Sequence, residues 1–452
     1  MSAAERFEAR LGLWDATALV AGSMIGSGIF IVSADITRRL PHPAWLLGVW
    51  ALTGVLTVVG AVSYGRLAAA MPRAGGQYVY LTELYGPLWG FLYGWTLVLV
   101  IQTGTIAAVA VAFATFAGTL WPALSPTAVV LHLGPLTVSP VQSCAVAVIL
   151  LLTAINARGL EAGRQVQNLF TWTKVATLVG LIALGLVFGN ATIRTANWSL
   201  PPLSFTVALS ALSAAMVGAL FSADAWANVT FAAAEVRDAR HTIPRALGVG
   251  TALVCLLYLA TNVAYLNVLP LADIQQAPGD RVGAAAMARI VGSEAGASVM
   301  AALVMVSTFG CVNGLVLAGA RVAWAMARDG FMFPAAGRLN ARHVPGVALW
   351  LQGAWAAALA LSGRYGDLLD YVIIAELLFY LLTVGGLVVL ARRTGTRPLG
   401  VGYPWLQVGY LMLVTLLVVS LLITKPAYTW GSIAVVASGL PVYAWLGRRR
   451  VA

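Results

Sequence analysis

The sequence predicts an all-α polytopic membrane protein with 12 transmembrane helices, two of them broken, and three observations carry that expectation. Of its 452 residues 60% are hydrophobic and 10% charged, with mean hydropathy +0.87, outside the range of soluble domains. Apolar runs of roughly 18 or more residues recur, each matching the ~20 residues a helix needs to cross the hydrocarbon core. The first and sixth runs carry glycine or polar residues where a spanning helix most needs unbroken backbone bonding.

The runs lie at about 11–36, 45–70, 87–120, 137–157, 165–188, 204–233, 243–268, 285–327, 346–362, 367–391, 404–423 and 428–446. The first contains "VAGSMIGSGIFIVSADI" (20–36). Gly22 and Gly26 form a G-x-x-x-G pattern, which favours close helix packing. The second glycine at 28, with Ser27 between, favours unwinding instead. Unwinding exposes N–H groups at Ser27, Gly28 and Ile29, which attract an anion, and carbonyls near Met24 and Ile25, which attract a cation. A zwitterion with one carboxylate and one ammonium group matches those poles.

Between the second and third runs, "MPRAGGQYVYLTELYG" (71–86) reads as a structured loop or gate. In the fifth, Lys174 lies roughly ten residues deep, too far to snorkel easily. Its ammonium either replaces a coupling cation or sits in a static ion pair. The sixth run holds "GALFSADAWANVTF" (218–231), in which Ser222-Ala223-Asp224 puts a carboxylate at mid-membrane depth. Asp224 is either functional or protonated and bonded to free backbone. Phe221 and Trp226 flank this break, as lids over a ligand or as lipid- or core-facing aromatics. The two breaks are five crossings apart, so they face in opposite directions, the sequence mark of an inverted-repeat transporter with its site at the breaks.

The eighth run is too long for one span, so a short external helix is expected before it. Its "STFGCVNG" offers Ser307, Thr308, Cys311 and Asn313 toward Lys174. Arg321 and Arg328 read as a solvated basic terminus. In the tenth, Glu376 is a buried carboxylate that either contacts ligand or bonds between helices, and Asp370 lies nearer the boundary as a solvated group.

The net charge of +11 is spread over short loops with no contiguous stripe, which argues against nucleic acid. With both termini cytoplasmic, 17 basic residues fall on inner segments, including Arg6, Arg73, Arg158 and Arg397. Only 7 fall on outer ones, including Arg38, Arg281 and Arg364. That split follows the positive-inside rule. Cys144, Cys255 and Cys311 sit in apolar runs at unrelated spacings, giving no disulfide framework and no metal-ligand pattern. No cleavable signal peptide is evident. Short loops leave no soluble domain, and nothing has nucleophile–base spacing, so an enzyme, a metal and a cofactor are not expected.

Together these segments resemble the amino acid–polyamine–organocation superfamily, most closely its L-type amino acid transporter branch and bacterial relatives. The resemblance rests on "GSMIGSGIF", "PRAGGQYVYLTELYGPLWGFLYGW", "EVRDARHTIPRAL", "STFGCVNGLVLAGARVAWAMARDG" and "SGLPVYAWLG", in that order. It implies a LeuT-type fold with inverted repeats at 1–190 (helices 1–5) and 203–392 (helices 6–10), and peripheral helices at 403–446. It implies substrate binding by Met24, Ile25, Gly26, Ser27, Gly28, Phe221, Ala223, Asp224, Trp226 and Glu376. The α-carboxylate would sit at Ser27 and Gly28 and the α-amine on carbonyls near Met24 and Phe221. Lys174, with Ser307, Thr308 and Cys311, would stand in for sodium.

The chain departs from the family pattern in helix 6, where Ala223, Ala225 and Ala227 replace Tyr, Gly and Asn, and in helix 2, where Arg66 replaces Glu. No cysteine occurs in "WPALSPTAVVLHLGP" (121–135), so no disulfide-linked accessory subunit is expected. The expected function is sodium-independent exchange of neutral L-amino acids by alternating access in the cell (inner) membrane. A cationic-amino-acid or proton-coupled permease is the alternative, and an amino acid sensor or channel the alternative of another class.

Overall fold

The computed structural model describes residues 7–124, 128–133, 136–362, 365–395 and 402–451. Arg6, Arg364 and Arg397 of the charge count lie outside them, as do residues 125–127 and 134–135 of the outer loop.

Among the described residues thirteen main helices carry the fold. They are α1 (Leu13–Met24), α2 (Gly28–Arg39), α3 (Pro43–Ala70), α4 (Pro87–Leu120), α5 (Pro140–Ala157), α6 (Leu160–Val187), α7 (Phe205–Ser222) and α8 (Ala239–Val268). The series continues with α9 (Glu294–Arg328), α10 (Gly346–Leu361), α11 (Tyr365–Thr394), α12 (Trp405–Thr424) and α13 (Pro426–Val451). In hydrocarbon each backbone group must bond within its own segment, so these apolar runs fold as helices. Their starts are written in the chain. Pro43 opens α3 behind His42, whose side chain accepts from Ala44 N, and Ser139 with Gln142 forms a capping box ahead of Pro140.

Ten of the described helices are long and apolar enough to cross a membrane, and α1 with α2, bent by 41°, forms a broken eleventh. The run at 346–362 becomes the 16-residue apolar helix α10, shorter than the span expected of it. The long eighth run divides as expected into Val282–Val291 and α9. Among the described residues the only strands are Leu131–Leu133 and Leu136–Val138, an antiparallel pair.

Burial separates an inner set from an outer one. The most apolar window is 72% buried in α4 and 67% in both α9 and α11, against 28% in α6, 33% in α12 and 17% in α13. The last two therefore lie at the periphery, with Trp405, Leu416, Ile423 and Trp430 exposed where lipid would lie.

The outer ends of α1 and α2 are tied to neighbouring segments. At one end Arg10 N and Leu11 N donate to Glu235 O at 2.9 and 2.8 Å, and Arg237 N returns a bond to Leu11 O. Beneath this strap Arg321 pairs with Glu235 at 2.8 and 2.9 Å, each 1% exposed. Arg321 is therefore a buried ionic tie rather than the solvated terminus expected, while Arg328 is exposed. The apolar pattern could not reveal this, because its partner lies 86 residues away. At the other end Arg38 holds Asp280 through two bonds of 2.6 and 2.9 Å, and Gln275 donates to Thr37 O. Asp370 likewise differs from expectation: it accepts from Lys425 Nζ at 2.6 and 2.8 Å and its side chain is only 14% exposed.

Candidate functional site

The α1–α2 break is a local consequence of its sequence. Ile25 turns extended (φ −75°, ψ 97°), and the helix restarts at Gly28. The two glycine readings divide by position. A Cβ on Gly22 would sit 2.1 Å from Gln167 Nε2 and Thr171 Oγ1 of α6, so this glycine serves packing. A Cβ on Gly26 would meet nothing closer than Cys311 Sγ at 3.5 Å, an ordinary contact. Gly28 belongs to the site, because a Cβ there would sit 1.9 Å from Ser222 Oγ at the end of α7. The two breaks meet at that point.

The carbonyl pole is capped by side chains from three helices. Lys174 Nζ of α6 donates to Gly22 O at 2.7 Å and Ile25 O at 2.8 Å. From α9, Ser307 Oγ donates to Ile25 O and Gly26 O at 3.2 and 3.0 Å, and Cys311 Sγ to Ser23 O at 3.0 Å. Tyr258 of α8 donates to Met24 O at 3.1 Å. Lys174 is fully buried and has no carboxylate partner among the described residues, so it is not half of an ion pair. Gly310 gives it room: a Cβ there would lie 3.3 Å from Lys174 Cε.

The opposite pole is open. Among the described residues no acceptor faces the N–H groups of Gly26, Ser27, Gly28 or Ile29, and the first bond of the new helix is Phe30 N to Ser27 O. These donors are buried with their residues; Ser27 is 5% exposed and Ile29 fully buried. Buried N–H groups left unpaired are costly, which makes this a place for an acceptor.

The second break follows α7. The chain leaves the helix at Ala223, and Ala225 adopts a left-handed conformation (φ 66°) before a short helix at Asn228–Phe231. A β-carbon costs about 1–2 kcal/mol in that region, so the backbone still has the shape the family's glycine serves. Tyr258 ties this break to the first, its hydroxyl lying 3.1 Å from both Met24 O and Ser222 O. Tyr258→Phe is expected to raise the KM for substrate about tenfold, since it leaves two buried carbonyls without their donor. Uptake kinetics in vesicles, normalised to protein, check this.

The expected residues thus separate into groups. Met24, Ile25, Gly26, Ser27, Gly28, Lys174, Ser307 and Cys311 come together around the first break. Thr308 does not join them, because its hydroxyl bonds back to Val304 O and Met305 O of its own helix. Asn313 instead links α5 to α6, through Asn156 and Gln167. Phe221 is half-buried beside the second break. Trp226 points away from the first, stacking on Tyr380 at 5.3 Å and meeting Tyr64 edge-on at 4.7 Å.

Asp224 and Glu376 line a separate cavity of about 20 Å³ with Ala223, Trp226 and Tyr380. Tyr380 donates to Asp224 Oδ1 at 2.5 Å. Sequence reasoning missed Tyr380 and Tyr258. The first had a signal, since it stands four residues after Glu376 on one helix face. The second had only the general need of a buried phenol for an acceptor.

Comparison with known proteins agrees with this architecture. The b(0,+)-type amino acid transporter 1 of Mus musculus is 27% identical over 445 residues, covering 96% of this chain and 87% of the relative. The Asc-type amino acid transporter 1 of Homo sapiens is 29% identical over 448 residues (96% and 81%). The serine/threonine exchanger SteT of Bacillus subtilis (strain 168) is 28% identical over 448 residues, 97% of each chain. A family model described as amino acid permease matches residues 11–446. With that match over nearly its whole length, the chain belongs to the amino acid permease family and is a membrane transporter, not an enzyme.

Proposed function

We propose that the protein is a sodium-independent exchanger of neutral L-amino acids working by alternating access. The observation that carries this is the asymmetry of the first break: its carbonyl pole is held by Lys174, Ser307, Cys311 and Tyr258, while its N–H pole is open. An α-carboxylate supplies the missing acceptor at Ser27 and Gly28. The α-amine donates to the free lone pairs of Met24 O and Phe221 O, beside Ala223. The Lys174 ammonium stands where a coupling cation would otherwise bridge α1 to α9, which supports sodium independence.

Neutral substrates are favoured because Asp224 is engaged by Tyr380, and the cavity it shares with Glu376 is too small for a guanidinium chain. Exchange is supported by the relative from Bacillus subtilis, a serine/threonine exchanger. In this reading α10 completes 12 spans, α1–α6 and α7–α11 form the inverted repeats within 1–190 and 203–392, and both termini face the cytoplasm of an inner-membrane protein. No disulfide-linked partner is required.

The test is counterflow of labelled leucine, alanine and arginine in proteoliposomes, with and without internal amino acid and sodium. Leucine or alanine uptake that depends on internal amino acid and ignores sodium is the expected result. Absence of counterflow with every amino acid refutes the exchanger.

A further inference from the structure

We propose that Asp224 and Glu376 form a proton-binding site beside the substrate site, one proton carried by Glu376 against an ionised Asp224, and that this proton sets substrate affinity. The functional half of this proposal rests on the exchanger reading; the site itself does not.

Both carboxylates are buried, Asp224 at 7% and Glu376 at 5% exposure, and both line the cavity of about 20 Å³. That is room for one water molecule. No lysine, arginine or histidine lines it. The titratable groups facing the pair are all phenols: Tyr64 from α3, Tyr93 from α4, Tyr380 from α11 and Tyr410 from α12. They carry no positive charge. Tyr380 serves Asp224 Oδ1, whereas Glu376 Oε2 is buried with no hydrogen-bond partner among the described residues, as is the hydroxyl of Tyr93.

Two ionised carboxylates at this depth, with no cationic side chain lining their cavity, repel each other in a low-dielectric medium. The pair relieves that cost by taking a proton from water onto Glu376, leaving the single negative charge on Asp224, where Tyr380 donates to it. The orphaned Glu376 Oε2 is the position left for that proton, and the water-sized void is its path of exchange.

The proton also links helices. Asp224 lies in the unwound segment two residues after Ser222, which packs against Gly28, and Glu376 lies on α11. With one proton bound, the second break is held against α11. With none, repulsion drives the break away from α11 and disturbs the Gly28–Ser222 contact that shapes the substrate site. The substrate-holding form therefore binds the extra proton, and affinity falls as pH rises.

The first measurement is the infrared spectrum of the purified full-length protein during a pH titration, which needs no substrate. A protonated-carboxyl C=O band that titrates in the wild type and is lost in Glu376→Gln is expected. The second is the KM of exchange in proteoliposomes across the same pH range. It should rise by up to about tenfold per pH unit above the titration point, the limit for one linked proton. Glu376→Asp should keep that slope and Glu376→Gln should abolish it, with gel filtration confirming that both are folded.

A flat wild-type KM profile, a slope that survives Glu376→Gln, or absence of the carboxyl band overturns the proposal. So does a KM set by sodium or potassium at fixed pH, which would make the occupant a metal cation. A titrating band in a protein without counterflow upholds the proton site and refutes the exchanger reading instead.

Discussion

Lys174→Met is expected to lower the exchange rate about 100-fold while the protein still assembles and elutes as a single species. The substitution keeps most of the side-chain volume and removes the donor to Gly22 O and Ile25 O. Ile25 O retains Ser307, but Gly22 O is left with no partner. Losing a charge-assisted bond and stranding a buried carbonyl costs about 2–3 kcal/mol, and a 100-fold loss corresponds to roughly 2.7 kcal/mol. The effect falls on function because Lys174 joins α6 to the end of α1 at the break, and the break loses its shape without it. Lys174→Arg should fail as well: Gly310 stands against the end of the lysine chain, and a guanidinium does not fit there. Initial rates of counterflow, set beside thermal stability of the purified variants, check both.

Gly28→Ala is expected to abolish measurable transport, and Ser222→Gly in the same chain to restore much of it. The added Cβ would lie 1.9 Å from Ser222 Oγ and 2.6 Å from Ser222 Cβ, so the breaks cannot close on each other. With glycine at 222 the contact left from that residue is its Cα at 3.2 Å, which is tight but tolerable. Ser222→Gly alone costs about 0.5 kcal/mol from helix propensity and loses the bond from Ser222 Oγ to Gly218 O. Two residues 194 positions apart that rescue one another report direct contact, and a double-mutant cycle on uptake rates measures the coupling. Equal loss in the single and double variants would mean that the breaks do not meet here.

The helical architecture was legible because hydropathy and backbone satisfaction act locally. Runs of the right length became helices, the overlong eighth run split, and Gly26-Ser27-Gly28 and Ser222-Ala223-Asp224 marked the interruptions. The count of spans was less secure, since α10 is only 16 residues long. What the chain hides is pairing at long range. Arg321 looked like a basic helix end until Glu235 was found beside it, and Asp370 looked solvated until Lys425 was.

The division of the glycines was equally hidden. Gly22 and Gly26 form one motif, yet only a neighbouring helix decides that the first is filled by α6 and the second is not. Thr308 illustrates the same limit. It follows Ser307 directly, but the next residue on a helix points about 100° away, and its hydroxyl turned back to its own backbone.

In the proposed mechanism the open N–H pole at Ser27 and Gly28 receives the carboxylate of an amino acid. A cryo-EM structure of the protein with its best counterflow substrate tests it most directly. The prediction is a carboxylate oxygen within hydrogen-bonding distance of Ser27 N or Gly28 N, with Lys174 still on Gly22 O and Ile25 O. A substrate bound elsewhere, with those N–H groups still facing no acceptor, would contradict the account.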